Sequence, residues 1–324
     1  MTKILFKLIV FTLICMQSNF VSGQETLPIY SDYLSDNVYL VHPSAAGIGN
    51  CGKIRLTARN QWAGVQDAPA LQTLSFHTRL GYNTGFGAIV FNDRNGFHSQ
   101  KGIQATYAYH IEMGRIDDLN LLSFGMSFMY VQNSVDETSF IIPDPVITQI
   151  VQSKSYVNAD FSMAYHNNGF SSYFTAKNLL LNARNLYGDN EPLNLRRYLV
   201  TAGYYFGEGG SVQFEPSIMA QFIERTGGKF ADFNLKVYKN LSNAQLWAGL
   251  SFRKGFDGNN IEELTYFTPI LGVNYKKYMA SYTYTKQTGD FLFDDGGYHQ
   301  VTLGVNLFCK KQRATGCPNI NASF

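Results

Sequence analysis

The sequence is short of charge, of cysteine and of long apolar runs. Aspartate, glutamate, lysine and arginine together make up 15% of it, against about a quarter in ordinary soluble domains. Past residue 23 no stretch approaches the roughly 18 continuous apolar residues that a spanning helix needs, which excludes a helical membrane protein. The four cysteines, Cys15, Cys51, Cys309 and Cys317, stand at unrelated spacings with no CxxC, so a thiolate metal site is not indicated. The three beyond residue 23 read either as free or loosely paired thiols, or as one disulfide in which Cys317 reaches Cys309 or Cys51. His42, His77, His98, His110, His166 and His299 show no HxxxH or HxH spacing. No metal, cofactor or catalytic residue is expected.

The first 23 residues have the form of a secretory signal peptide: Lys3 and Lys7, then an apolar core from Leu8 to Met16, then Val21-Ser22-Gly23, with cleavage between Gly23 and Gln24. Ile14 is too bulky for the small residue expected before a lipid-modified Cys15. Without Lys3 and Lys7, the 26 basic residues fall to 24 and equal the 24 acidic ones. A neutral chain argues against nucleic acid as a partner, because phosphate binding needs a basic footprint.

What the chain has in plenty is aromatic side chains, 25 phenylalanines and 21 tyrosines, yet its mean hydropathy is −0.14. That combination arises when apolar and polar residues alternate one by one. Residues 102–112 put Ile103, Ala105, Tyr107, Tyr109 and Ile111 on one face and Gln104, Thr106, His110 and Glu112 on the other. Residues 230–239 oppose Ala231, Phe233, Leu235 and Val237 to Asp232, Asn234 and Lys236. Residues 300–309 do the same with Val301, Leu303, Val305, Leu307 and Cys309 against Gln300, Thr302, Gly304 and Asn306. This is the period of a strand.

The same pattern predicts fourteen strands, at about 53–62, 71–79, 85–93, 102–112, 119–131, 156–166, 171–179, 197–207, 211–223, 230–240, 244–254, 264–274, 278–286 and 299–309. Connections after even-numbered strands are short and those after odd-numbered ones long, a rule that a soluble sandwich has no reason to obey. An outer-membrane barrel obeys it, with tight periplasmic turns and long outer loops. The expected fold is therefore an all-β transmembrane outer-membrane barrel of about fourteen antiparallel strands over 53–309. A periplasmic N-terminal segment, 24–52, precedes it and a periplasmic tail, 310–324, follows.

On this topology Trp62, in RNQWAGVQDAP, ends the first strand at the boundary of acyl chains and water. Tyr130, Tyr187, Tyr266, Tyr284 and Tyr298 fall near other upper ends, and Tyr82, Tyr205, Tyr275 and Tyr278 near lower ones. Outer-membrane lipid is thus the first partner.

Signals for chemistry are weak. Ser281 and His299 lie on strands that could be neighbours, the pairing a lipase-type barrel would need. GFGAIVF at 85–91 lacks the rest of a nucleotide-binding fingerprint, and its glycines are read as easing a tight lower turn into the wall. The acid pairs Asp117-Asp118, Glu262-Glu263 and Asp294-Asp295 read as solvated turns. Residues 132–155 are different. Phe140, Ile141, Ile142, Pro143, Pro145, Val146 and Ile147 are too apolar for a solvated loop and mark a candidate partner-binding segment, with inward folding as the other reading. Residues 180–196 are a second possible contact.

Taken in order, SDYLSDNVYLVHPSAAG, RNQWAGVQDAP, YAYHIE, LSFGMSF, YFTAKNLL, RRYLVTAGYYF, FEPSIMAQF, LWAGLSFRKG and GGYHQVTLGVNLFCKKQRATGCP resemble the PorP/SprF family of type IX secretion system membrane proteins. The resemblance covers nearly the whole chain after the signal. It implies a non-enzymatic outer-membrane component that partners type IX secretion subunits and a secreted surface protein such as a gliding adhesin. The alternative is a porin or substrate-specific channel. His42-Pro43-Ser44 stands where the family usually has Asn-Pro-Ala, and Gly297-Tyr298-His299-Gln300 where it often has Gly-Ser-His-Glu.

Overall fold

A computed structural model describes residues 34–61, 68–113, 120–138, 151–181, 196–207, 210–256, 265–288 and 297–310. Fourteen strands form one closed antiparallel barrel: β1 (Gly52–Gln61), β2 (Ala70–Leu80), β3 (Thr84–Asn95), β4 (His98–Glu112), β5 (Asn120–Asp136), β6 (Val151–Asn167), β7 (Phe170–Lys177), β8 (Arg197–Tyr204), β9 (Val212–Ile223), β10 (Lys229–Asn240), β11 (Ala244–Phe256), β12 (Thr265–Tyr275), β13 (Tyr278–Thr288) and β14 (Tyr298–Leu307). Each strand pairs with its neighbours in sequence, and β1 closes on β14 from Gly52↔Leu307 to Gln61↔Tyr298. Closure leaves no strand of the wall without a partner on either side, which hydrocarbon would require of any edge. Among the described residues no helix is long and apolar enough to cross a membrane.

The wall is inside out relative to a soluble sheet. On β4, Ile103 and Tyr107 are 53% and 56% exposed on the outer face, while Gln104, Thr106 and His110 are buried on the inner one. β10 repeats the pattern with Phe233 and Leu235 outward and Asp232, Asn234 and Lys236 inward. β14 places Val301 and Leu303 outward and Gln300 and Thr302 inward. The alternation read from the sequence therefore has its apolar face toward lipid and its polar face toward the lumen.

We call the end where β1 begins and β14 finishes the lower end. Four of the six lower connections are tight, 81–83, 168–169, 241–243 and 276–277, while 113–119 and 205–211 span seven residues each. The upper connections are mostly longer, with two departures, 224–228 and the turn between β3 and β4. β3 and β4 pair up to Asn95↔His98 and turn on Gly96 and Phe97 alone, because Gly96 adopts a left-handed φ of 59° that a two-residue hairpin requires. β5 and β6 also run further than expected, pairing up to Asp136↔Val151, so the 132–155 connection shrinks to 137–150. β7 and β8 are the shortest strands of the wall, which leaves its upper rim high at β4–β6 and low at β7–β8.

Candidate functional site: the plugged lumen

Residues 34–50 do not hang below the barrel as a periplasmic segment; they run through its lumen. Two short 3₁₀ turns, Val38–Leu40 and Pro43–Ala45, give this plug its local shape. Leu34, Tyr39, Val41, His42, Ser44 and Ala46 are all buried. The correction has a plain physical cause. From Tyr33 to Gly52 the only charged residue is Asp36, and most of the rest is small or apolar apart from Asn37, His42 and Asn50, a composition that is poor for a solvated linker but suits a segment enclosed by a polar tube.

The plug is held by side chains that reach in from most of the wall. Ser35 Oγ lies 3.4 Å from Thr283 Oγ1 on β13, and Asn37 Nδ2 donates to Ser75 Oγ on β2 at 3.0 Å. Tyr39 donates its hydroxyl to Thr106 Oγ1 on β4 at 2.8 Å. Lys177 Nζ on β7 donates to the Leu40 carbonyl at 3.4 Å. His42 bridges β7 and β8, its Nδ1 at 2.7 Å from Thr175 Oγ1 and its Nε2 at 3.0 Å from Thr201 Oγ1, with its ring stacked on Tyr173. Ser44 Oγ meets Ser162 Oγ on β6 at 2.7 Å.

These bonds set a tautomer. Ser162 donates to the Phe174 carbonyl, so it accepts from Thr175, and Thr175 must then accept from His42 Nδ1–H. His42 Nε2 is left to accept from Thr201. Two wall histidines grip the plug backbone: His110 Nε2 donates to the Ala46 carbonyl at 2.9 Å, and Gly47 N–H donates to His77 Nδ1 at 3.1 Å. Three of the six histidines, scattered in sequence, thus converge on one short segment, and the fourth, His166, joins through Tyr173 at 2.8 Å.

The plug's one charge is its electrostatic anchor. Asp36 Oδ2 lies 2.7 Å from Arg55 NH2, and Oδ1 lies 3.2 Å from Lys53 Nζ, both cations being buried on β1. Burial alone would push the Asp36 carboxyl up, but Lys53 and Arg55, with Lys236 beyond them, outweigh it and hold it at about 2. Burial, seconded by Lys177, lowers the His42 imidazole to about 3.

Steric fit is equally specific. A Cβ on Gly85 would lie 1.9 Å from the Ala46 carbonyl oxygen, one on Gly87 2.5 Å from the Tyr39 ring, and one on Gly125 2.4 Å from the Pro43 backbone. The glycines of GFGAIVF therefore make room for the plug, rather than for a turn as the sequence suggested. Across the lumen, the β9–β12 wall fills its own space. Asp232 and Arg253 form a two-pronged ion pair at 2.6 and 2.7 Å, Glu215 accepts from Tyr238, and Lys236 Nζ sits 4.7 Å over the Trp247 ring.

Other sequence-derived residues fall as follows. Cys51 is bonded to Cys309 across 258 residues, stapling the start of β1 to the end of β14; neither pairing considered through Cys317 occurs, because barrel closure brings Cys51 and Cys309 together. Tyr82, Tyr275 and Tyr278 face outward at the lower rim, while Tyr130 faces outward six residues below the upper end of β5. Tyr205 and Tyr266 turn inward instead, since their positions carry the parity of the lumen face. Ser281 points into the lumen, while His299 lies on the outer face with its Nδ1 at 2.7 Å from the Tyr282 hydroxyl, so the two cannot act together. No group of metal ligands occurs among the described residues. Gly23, Gln24, Trp62, Tyr187, Cys317, the acid pairs and the segment Phe140–Ile147 lie outside the described residues.

Against known proteins, a family model described as "Type IX secretion system membrane protein PorP/SprF" matches residues 22–305. The chain belongs to the PorP/SprF family. It is a type IX secretion system membrane protein with an outer-membrane barrel fold, located in the outer membrane. No curated protein matches it in sequence. Among solved structures it is similar to BamA from Haemophilus ducreyi lacking POTRA domains 1–3 (9% identity, 80% of this chain and 70% of that one, TM-score 0.43). It is likewise similar to the Acinetobacter baumannii outer membrane protein Omp33 (6%, 81% and 99%, TM-score 0.41). A third likeness is to outer membrane phospholipase A from Escherichia coli (13%, 79% and 89%, TM-score 0.35). The stretches that carry the family resemblance meet in the lumen. SDYLSDNVYLVHPSAAG supplies the plug, YAYHIE His110, LSFGMSF Gly125 and Ser127, YFTAKNLL Thr175 and Lys177, and RRYLVTAGYYF Thr201.

Proposed function

We propose that this PorP/SprF protein is a non-enzymatic docking or anchoring component of the type IX secretion system, holding a secreted surface protein such as a gliding adhesin at the outer membrane. The observation that carries the reading is the plug: a lumen crossed by residues 34–50 and tied to seven strands suits a rigid platform better than an open passage. The raised rim of β4–β6 offers the client a wall to lean on, and the apolar segment from Phe140 to Ile147 between β5 and β6 is the contact we assign to it. Secretion subunits are the second partner.

Two measurements test this. The protein reconstituted in a planar bilayer should conduct little, and mild solubilisation of the outer membrane should bring down a secreted surface protein or a secretion subunit with it. Steady, large conductance together with no co-purifying protein would favour the porin alternative.

A further inference from the structure

A closed barrel has no edge inside the membrane, yet the upper part of β6 stands above it as one. β6 pairs with β5 without a break from Asn120↔Asn167 to Asp136↔Val151, but with β7 only from Phe161↔Ala176 downward. One further bond, from the Leu179 N–H to the Ala159 carbonyl at 2.9 Å, ends the pairing on that side. The cause is local. Asn178 takes a left-handed φ of 57°. The Asn158 side chain then accepts the Leu180 N–H at 3.0 Å and donates to the Leu180 carbonyl at 3.4 Å, standing in for the β6 backbone and turning the chain away from it. Above Ala159, no strand among the described residues lies beside β6 on its β7 side.

Which backbone groups this edge presents follows from the ladder. The Asp136 N–H donates toward β4, to the Phe97 carbonyl at 3.0 Å, so Asp136, Ser134 and Gln132 direct their backbone groups to that side. Their β6 partners Val151, Ser153 and Ser155 therefore form non-hydrogen-bonded pairs and turn N–H and C=O away from β5, in the same sense as the Ala159 carbonyl. The stretch lies above the acyl belt. On the outer face of β5 the last large apolar side chains are Phe128 and Tyr130; above them Gln132 Nε2 donates to Ser153 Oγ at 2.8 Å, and Ser99 Oγ lies 2.7 Å from Ser134 Oγ. Hydrocarbon would not tolerate an open edge, but water does. Val151–Ser155 has neither proline nor bulge to guard it, and Lys154 is its only charge.

We propose that an extended segment of the secreted surface protein adds itself to the wall as a further strand on the β6 edge from Val151 to Ser155, an inference that rests on the docking reading above. A row of N–H and C=O groups at strand spacing is matched by another extended peptide and not by lipid. A second copy does not fit. Two barrels in one membrane are related by an axis along its normal, which sets their β6 edges running the same way with opposite tilt, so neither continues the other's antiparallel ladder. The upper rim faces the medium on the sidedness read from the connections, which is where a secreted protein arrives.

For the test, the surface protein that co-purifies with the full chain from mildly solubilised outer membrane is identified, purified and bound back to the full chain in detergent. Hydrogen–deuterium exchange of the unaltered complex should show the amides of Val151, Ser153 and Ser155 slowed about tenfold relative to the free chain. Ser153→Pro and Ser155→Pro each remove an N–H that β5 does not use. Each should weaken binding about fivefold while the barrel keeps its heat-modifiable gel shift. Ser153→Ala keeps the N–H and should bind as the parent does. Absence of exchange protection at 151–155 in a complex that forms, undiminished binding by both proline variants, or an equal loss in Ser153→Ala would each overturn strand addition and leave docking intact. Failure of any surface protein to co-purify would instead remove the docking reading, and this inference with it.

Discussion

The Asp36 carboxylate of the plug meets the Arg55 guanidinium of β1 at 2.7 Å, where neither reaches solvent freely. Removing one partner of such a pair leaves buried charge uncompensated, at a cost of about 3–5 kcal/mol. Asp36→Asn removes the carboxylate that Lys53 and Arg55 share. It should raise the frequency of open-channel events in a planar bilayer while the barrel still migrates as folded on an unheated gel. Unchanged conductance would remove Asp36 as the plug's anchor.

The glycine contacts make a steric prediction that is independent of charge. Gly85→Ala or Gly125→Val puts atoms where Ala46 and Pro43 now lie, so the plug must shift while the outer face of the wall is untouched. A cysteine replacing Ala46, in a Cys317→Ser background, should be protected from a bulky maleimide in the parent and labelled in either glycine variant. Protection that persists in both would show that the wall yields instead.

Acid should loosen the plug. Once released, His42 titrates near its ordinary value of about 6.5, whereas docked it is held at about 3. The docked state therefore prefers the neutral ring. Its full stabilisation is present above about pH 6.5 and is lost progressively as pH falls toward 3, amounting to about 2 kcal/mol by pH 5. Channel opening should rise over that window, and His42→Gln should flatten the slope by one proton. A slope identical in the variant would assign the effect to other groups.

The Cys51–Cys309 bond predicts a thiol count. The denatured, unreduced mature chain should take up one alkylating group, at Cys317, and three after reduction. Closing so long a loop restricts the unfolded chain by about 5 kcal/mol in the chain-entropy model. Reduction should accordingly lower the thermal transition of the detergent-solubilised barrel, and Cys51→Ser should reproduce the shift.

Sidedness follows from the connections. Proteases added to intact cells should cut within 137–150 and spare 207–210, and Trp62 should be quenched by brominated lipid at headgroup depth. The opposite cleavage preference would invert the barrel.

Much of this architecture was legible because a lipid-facing wall writes itself into the sequence as strict alternation. Ile103 to Ile111 and Phe233 to Val237 needed no tertiary information to be assigned to one face. The rim was less legible, since Tyr205 and Tyr266 are aromatic residues near strand ends by position but of lumen parity. The plug was hidden for a different reason. It has no period, and its partners His77, His110, Thr175 and Thr201 are drawn from four strands that only closure brings together. The clue available was negative: a stretch with one carboxylate and little else to keep it in water. The disulfide was hidden likewise, as nothing short of the β1–β14 pairing sets Cys51 beside Cys309.

Because the plug immediately precedes β1, the seam that completes the barrel, β1 against β14, lies at the plug's own end. A chain deprived of residues 34–50 should therefore show its defect as a lower yield of folded barrel, read on an unheated gel, before any question of what passes through arises.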